Sequence, residues 1–176
     1  MNGEEIQRVD EFKYLGRIVS EKDDDSKAIE ANLKKAKRKW AMFKRLLTRE
    51  DASRRVMGYF YKAIVQSRIL LYGAETCWVI SESKLRKLRT FHRSCARFLT
   101  RRYIKPNENG TWVYPSSASV LEEAGLYEID HYIQKRRETV LEFVKEREIY
   151  QECKELDVDS VHTNHYWWNQ SFNVQN

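Results

Sequence analysis

The residues best able to do chemistry fall into a few groups: the run Asp23, Asp24, Asp25; the pair His92 and Cys95; the set Cys153, His162 and His165; and Glu75, alone inside the apolar stretch LLYGAETCWVI at Leu70 to Ile80. Nucleotidyl transfer needs carboxylates converging on two metal ions about 4 Å apart. Three consecutive aspartates ahead of a helical pattern fit a helix cap favoured by the helix dipole better than such a cluster. His162 and His165 form an HxxH, but with Cys153 they make an irregular ligand set, a weak zinc signal. His92 and Cys95 sit one helical turn apart and read as a core cysteine beside a boundary histidine. Cys77, Cys95 and Cys153 are widely separated with no CxxC pair, which signals neither a disulfide framework nor a cysteine-built zinc site. No glycine-rich phosphate loop, GxSxG elbow or HExxH occurs. The expectation is no catalytic residue, no metal and no cofactor; an enzyme would need a metal site that these motifs do not announce. Glu75 is expected to pair with a nearby cation or to cap backbone amides at the joint between two helices.

Charge points to binding instead. The 176 residues carry a net +6, but Lys27 to Lys105 hold 22 Lys and Arg against 5 Asp and Glu, a net +17, while the flanks are acidic. So much positive charge in fewer than half the residues calls for an anionic partner, with the backbone of RNA or DNA in first place. An acidic protein, or the chain's own acidic ends, is the alternative, and would make this a helical protein-interaction module. No membrane partner is expected, since Arg68 and Glu75 bracket the best apolar run, well short of the roughly 20 residues a span requires. The opening MNGEEIQRVDEF resembles neither a secretory signal nor a transit peptide, so the expected location is intracellular, nuclear or cytoplasmic.

The elements that would position these charges follow from periodicity. The fold class expected is mainly α: a small N-terminal β-hairpin, a bundle of amphipathic basic helices, and a long C-terminal helix. Ile6, Val9, Phe12, Tyr14, Leu15, Ile18 and Val19, punctuated by Asp10 and Gly16, give the hairpin within residues 1–22. Residues 23–105 hold three helices. The first buries Ile29, Leu33, Ala36, Trp40, Phe43 and Leu47 at steps of three and four, leaving Lys34, Lys35, Lys37, Arg38, Lys39, Lys44 and Arg45 on the other face. The second starts at Asp51 or Ser53, runs through Val56, Phe60, Ala63, Ile64, Ser67, Leu70 and Leu71, and stops at Gly73. The third starts at Ser81, turns Leu85, Leu88, Phe91, Cys95, Phe98 and Leu99 inward, and points Lys84, Arg86, Lys87, Arg89, Arg93, Arg97 and Arg101 mainly outward. Residues 106–156 add a loop at Pro106 to Gly110, a short helix near Ser119 to Ala124 with a Ser119/Glu122 capping box and a Gly125 stop, and a helix from Ile129 to Leu156. The tail 157–176 lacks a helical period and is expected to be flexible. Tyr59, Tyr61, Tyr103 and Trp112, close to cations, are candidates for stacking on bases or sugars.

FKYLGRIVS at Phe12 to Ser20, the basic helix after it, ILLYGAETCW at Ile69 to Trp78 and LRTFHRSCARFLTR at Leu88 to Arg101 together resemble the region after the catalytic palm in reverse transcriptases of non-LTR (LINE-like) retrotransposons. The likeness covers about residues 10 to 105 and rests on the YLG and LLYG-E-W pair at this separation; residues 112 to 150 resemble the following helical segment more loosely. Cys77, between Thr76 and Trp78, departs from the family pattern. The resemblance implies that Tyr14, Leu15 and Gly16 form a primer-grip turn and that Lys34 to Arg45 lie on a thumb helix tracking a template-primer duplex. The family's catalytic aspartates belong to a motif upstream of YLG, so no residue here inherits their role. Taken together, the expected nucleic-acid-binding residues are Tyr14, Gly16, Lys34, Lys35, Lys37, Arg38, Lys39, Arg45, Arg86, Arg89, Arg93, Arg97 and Arg101.

Overall fold

Amphipathic periodicity dominates the chain, and the computed structural model, which describes residues 9–14, 17–20, 25–74 and 80–145, is accordingly mainly helical. Strands β1 (Glu11–Tyr14) and β2 (Arg17–Ser20) pair antiparallel with Tyr14 opposite Arg17 and Glu11 opposite Ser20. The β1 side chains are exposed, and Glu11 pairs with Lys27 in the first turn of α1 (Ser26–Arg49). Ile6, Leu15 and Gly16 lie outside the described residues.

Helix α1 forms as its spacing demands: Ile29, Leu33, Ala36, Trp40 and Leu47 are buried, and Phe43 packs beside them. Asp25 stands at its N-cap position without the side-chain cap bond expected of it, and Asp23 and Asp24 are outside the described residues. At the other end Asp51 takes a left-handed φ of 51° while the Ala52 N–H donates to the Leu47 carbonyl, closing the helix as a short-side-chain residue can. Ser53 then caps α2 (Arg54–Phe60), its hydroxyl accepting from the Val56 N–H at 3.3 Å.

The second helix departs from the sequence reading in its middle. After Phe60 it widens into a π-helix over Tyr61–Leu70, whose last bond runs from the Leu71 N–H to the Gln66 carbonyl five residues back. Wider turns shift the buried stripe to Met57, Tyr61, Val65, Gln66 and Leu70, while Val56 and Ala63 face out. A ten-residue π segment leaves carbonyls at its end, and two distant side chains bond them. Asn32 of α1 donates to the Tyr72 carbonyl at 2.8 Å, and Arg136 donates to the carbonyls of Ser67 at 2.9 Å and Leu71 at 3.1 Å. Gly73, at φ 81°, ends the run as expected. Glu75 and Cys77 lie outside the described residues.

Helix α3 (Glu82–Thr100) follows Ser81 and buries Leu88, Phe91, Cys95 and Leu99, with Leu85 and Phe98 half-buried. The loop after it contains a ladder that is too short for periodicity to reveal: β3 (Lys105–Pro106) pairs with β4 (Trp112–Val113). Helix α4 spans Ser117–Glu123 with Ser116 at its N-cap position, so the Ser119/Glu122 capping box is not formed. Ser119 already lies inside the helix, and its hydroxyl donates back to the Ser116 carbonyl at 3.1 Å. Gly125, at φ 62°, closes α4 with the Leu126 N–H on the Leu121 carbonyl at 2.8 Å. Helix α5 is described over Ile129–Lys145; its expected continuation to Leu156 and the tail 157–176 are outside the described residues. Val120, Leu121, Leu126, Ile129 and Ile133 join the same hydrophobic cluster as Ile29, Leu33 and Trp40, so the segment after residue 106 shares one core with the basic helices.

Candidate nucleic-acid interface

Helices α1 and α3 each carry an apolar stripe that packs into the shared core and a cationic flank that remains outside. Where they lie side by side the flanks converge on a groove of about 680 Å3. Lys34 and Lys37 approach from α1 and Arg86 and Lys87 from α3, over a floor of Leu33 and Phe91. Glu30 also lines it, accepting from Lys84 at 2.6 Å and Lys87 at 3.0 Å; those two ammonium groups hold its carboxyl down to about 2, so it stays ionised. Lys34, Lys37 and Arg86 are exposed.

A second cationic surface lies farther along α1, where Arg38, Arg45 and Arg49 surround Ala41, Met42 and Leu46. Lys34 to Arg49 span roughly 22 Å of helix, a length over which one strand of a duplex presents about six phosphates. Lys35 is exposed and Lys39 half-buried, both outside these two depressions.

Two of the expected α3 cations, Arg89 and Arg93, are committed elsewhere, which corrects their outward-facing assignment. Arg89 grips Asp130 with two hydrogen bonds and donates a third to Glu82 at 2.7 Å. Arg93, one turn on, holds both carboxylate oxygens of Glu128, with the shortest contact at 2.6 Å. Both arginines are partly buried and clamp acids at the start of α5, where negative charge also suits the helix dipole. Asp130 is held below the usual carboxylate range, chiefly by the Arg89 hydrogen bond. Arg97 is half-buried, and its Nε has no hydrogen-bond partner. Arg101 is exposed beyond the end of α3, in a left-handed conformation of φ 57°. Tyr14 is exposed on β1, and Gly16 is outside the described residues.

The aromatic candidates divide in the same way. Tyr59 is exposed, with Arg55 donating to its phenol at 3.4 Å and Lys62 over its ring; the Arg55 hydrogen bond draws its proton affinity down. Tyr103 and Trp112 are exposed. Tyr61 is a core residue, fully buried, with Trp40 edge-on at a centroid distance of 5.3 Å. Its hydroxyl meets His92 Nδ1 at 2.7 Å, while His92 Nε2 lies 2.8 Å from the Tyr127 carbonyl. A carbonyl only accepts, so Nε2 carries the proton, Nδ1 is the acceptor, and Tyr61 donates. His92 is thus a fully buried neutral imidazole rather than a boundary residue, and burial lowers its proton affinity. Cys95, beside it, is pushed up to about 12 by burial, which makes it an inert core thiol.

The expected binding residues omit Lys87, although it is expected to point outward on α3, and Thr90, one helical turn after Arg86; both line the groove. Among the described residues no group of three or more His, Cys, Asp and Glu is placed to hold a metal ion, and no helix is long and apolar enough to cross a membrane. His162, His165 and Cys153 are outside the described residues. No protein-family model matches the chain, and no curated protein or solved structure matches it at a significant level.

Proposed function

We propose that this chain is a nucleic-acid-binding module that grips the RNA or DNA backbone, corresponding to the thumb and connection region of a LINE-like reverse transcriptase and not to its polymerase centre. The observation that carries this reading is the convergence of Lys34, Lys37, Arg86 and Lys87 from two helices on one open groove. Cations so arranged neutralise phosphates without reading bases, so binding is weak, sensitive to salt and largely independent of sequence. A nuclear or cytoplasmic location follows from such a partner. The resemblance adds the template-primer duplex as the form of the ligand.

Binding measured against salt tests the reading. Three neutralised phosphates, on Lys34, Lys37 and Arg86, give a log-log slope of about −2.7 on duplex DNA, so raising salt from 50 to 200 mM weakens binding roughly 40-fold. The variant Lys34→Ala/Lys37→Ala/Arg86→Ala flattens that slope by about 2.7. A flat salt dependence in the parent, or an unchanged slope in the variant, rejects the groove as the binding surface.

One observation favours the second reading, an acidic protein partner or self-docking. Glu11, Glu123, Glu128 and Asp130, all from the acidic flanks, already pair with Lys27, Arg102, Arg93 and Arg89 of the basic middle. Size-exclusion with and without nucleic acid separates the two, because a chain neutralised by itself or by a protein ignores the nucleic acid.

A further inference from the structure

The short hairpin of β3 and β4 presents large apolar side chains to solvent. Trp112 is 57% exposed, Tyr114 69% and Tyr103 52%, with Ile104 and Val113 beside them. Trp112 and Tyr114, two positions apart, fall on the same side of an extended segment, and large exposed apolar side chains brought together mark interaction surfaces. The hairpin is also ordered from within. Pro106 sits opposite Trp112 and Lys105 opposite Val113, and the turn closes through the Asn107 N–H on the Thr111 carbonyl at 2.7 Å and the Gly110 N–H on the Asn107 carbonyl at 2.9 Å. Gly110 takes φ 76°, a value that its lack of a side chain permits.

The charge around these rings selects the partner. Arg101 and Lys105, on either side of Tyr103 and Ile104 in the sequence, are exposed, while Arg102 pairs with Glu123 at 2.7 Å and Glu108 stands in the turn. Protein interfaces favour aromatic residues and arginine but deplete lysine, so Lys105 beside the rings suits an anionic partner better. Single-stranded nucleic acid repeats an anion and a flat π surface in every nucleotide, and proteins meet it with cations and aromatic rings side by side. A duplex keeps its bases stacked inside and offers the rings nothing to stack on.

We infer that the β3–β4 hairpin is a stacking platform for unpaired nucleotides of RNA or DNA, with bases on Trp112 and Tyr114 and phosphates on Arg101 and Lys105. This rests on the nucleic-acid reading above and extends it from a duplex held by α1 and α3 to a single strand held elsewhere on the molecule.

The experiment compares Trp112→Ala/Tyr114→Ala with the parent in fluorescence-anisotropy titrations against a labelled oligothymidylate and against a blunt duplex of the same length. Circular dichroism checks that the helices are intact. Single-strand affinity is expected to fall roughly 5- to 150-fold for each stacked base lost, with duplex affinity and its salt slope unchanged. Trp112→Phe is expected to keep most single-strand binding, because a flat ring remains. Equal losses on both ligands, or no loss on either, overturn the inference. So does a hairpin variant that alters only association with protein, which would make the patch a protein contact. If the parent binds duplex with a steep salt dependence and the hairpin variants change nothing, only this inference fails. If the parent binds neither ligand at low salt, the nucleic-acid reading fails with it.

Discussion

Tyr61→Phe removes one oxygen from the core and changes no shape, which makes it a sharp test of the buried Tyr61–His92–Tyr127 chain. In the parent, burial keeps the Tyr61 phenol protonated, and it donates to His92 Nδ1 at 2.7 Å. Without that donor Nδ1 is a buried acceptor with nothing to accept, at a cost of about 1 to 3 kcal/mol. For a chain of this size, 2 kcal/mol lowers Tm by roughly 4 to 8 °C. Urea and thermal unfolding followed by circular dichroism give the number. His92→Leu should cost a similar amount, since it strands the Tyr61 hydroxyl, and the double variant should cost less than the two singles added, as for any pair in direct contact. The pH dependence supplies a second readout. Burial lowers the proton affinity of His92 below its ordinary 6.5, so below that pH the unfolded chain binds a proton that the folded chain refuses. Its contribution is therefore complete above about pH 6.5 and declines as the pH falls toward the folded-state value, by up to about 1.4 kcal/mol per pH unit. The stability gap between the parent and His92→Leu should narrow from pH 7.5 to pH 5. A Tyr61→Phe protein as stable as the parent, or a gap constant across that range, would refute the donor assignment and the neutral imidazole.

Two further substitutions test local backbone arguments. Gly58 is buried in α2, and an added Cβ would meet Leu99 Cδ1 at 4.0 Å, an ordinary contact, so Gly58→Ala should raise stability by about 0.5 to 1 kcal/mol in urea unfolding. Arg101 holds a left-handed φ of 57° after α3, so Arg101→Gly should stabilise the fold by about 1 kcal/mol while weakening binding to single strands, a split that separates its backbone role from its charge.

The regular parts of this protein are legible in its order of residues. Apolar side chains every three or four positions fix α1 and α3, because only one face of a helix can reach the core, and Gly73 and Gly125 mark turns that need positive φ. The concentration of 22 cations between Lys27 and Lys105 is equally a property of the sequence alone. Which of those cations remain open is not. Arg89 and Arg93 have the same spacing and surroundings in the sequence as Arg86, yet they are consumed by Asp130 and Glu128, some 35 to 41 positions away, because α5 docks its acidic start on that turn of α3. The π-helix was hidden for a similar reason. Its wide turns place Tyr61 and Gln66 in the core, and its terminal carbonyls find donors in Asn32 and Arg136, which only the packing of α1 and α5 brings within reach. Local periodicity thus determined the helices and their charged faces. The pairing of distant side chains, which depends on how the helices stack, decided which charges form the groove and which hold the fold together.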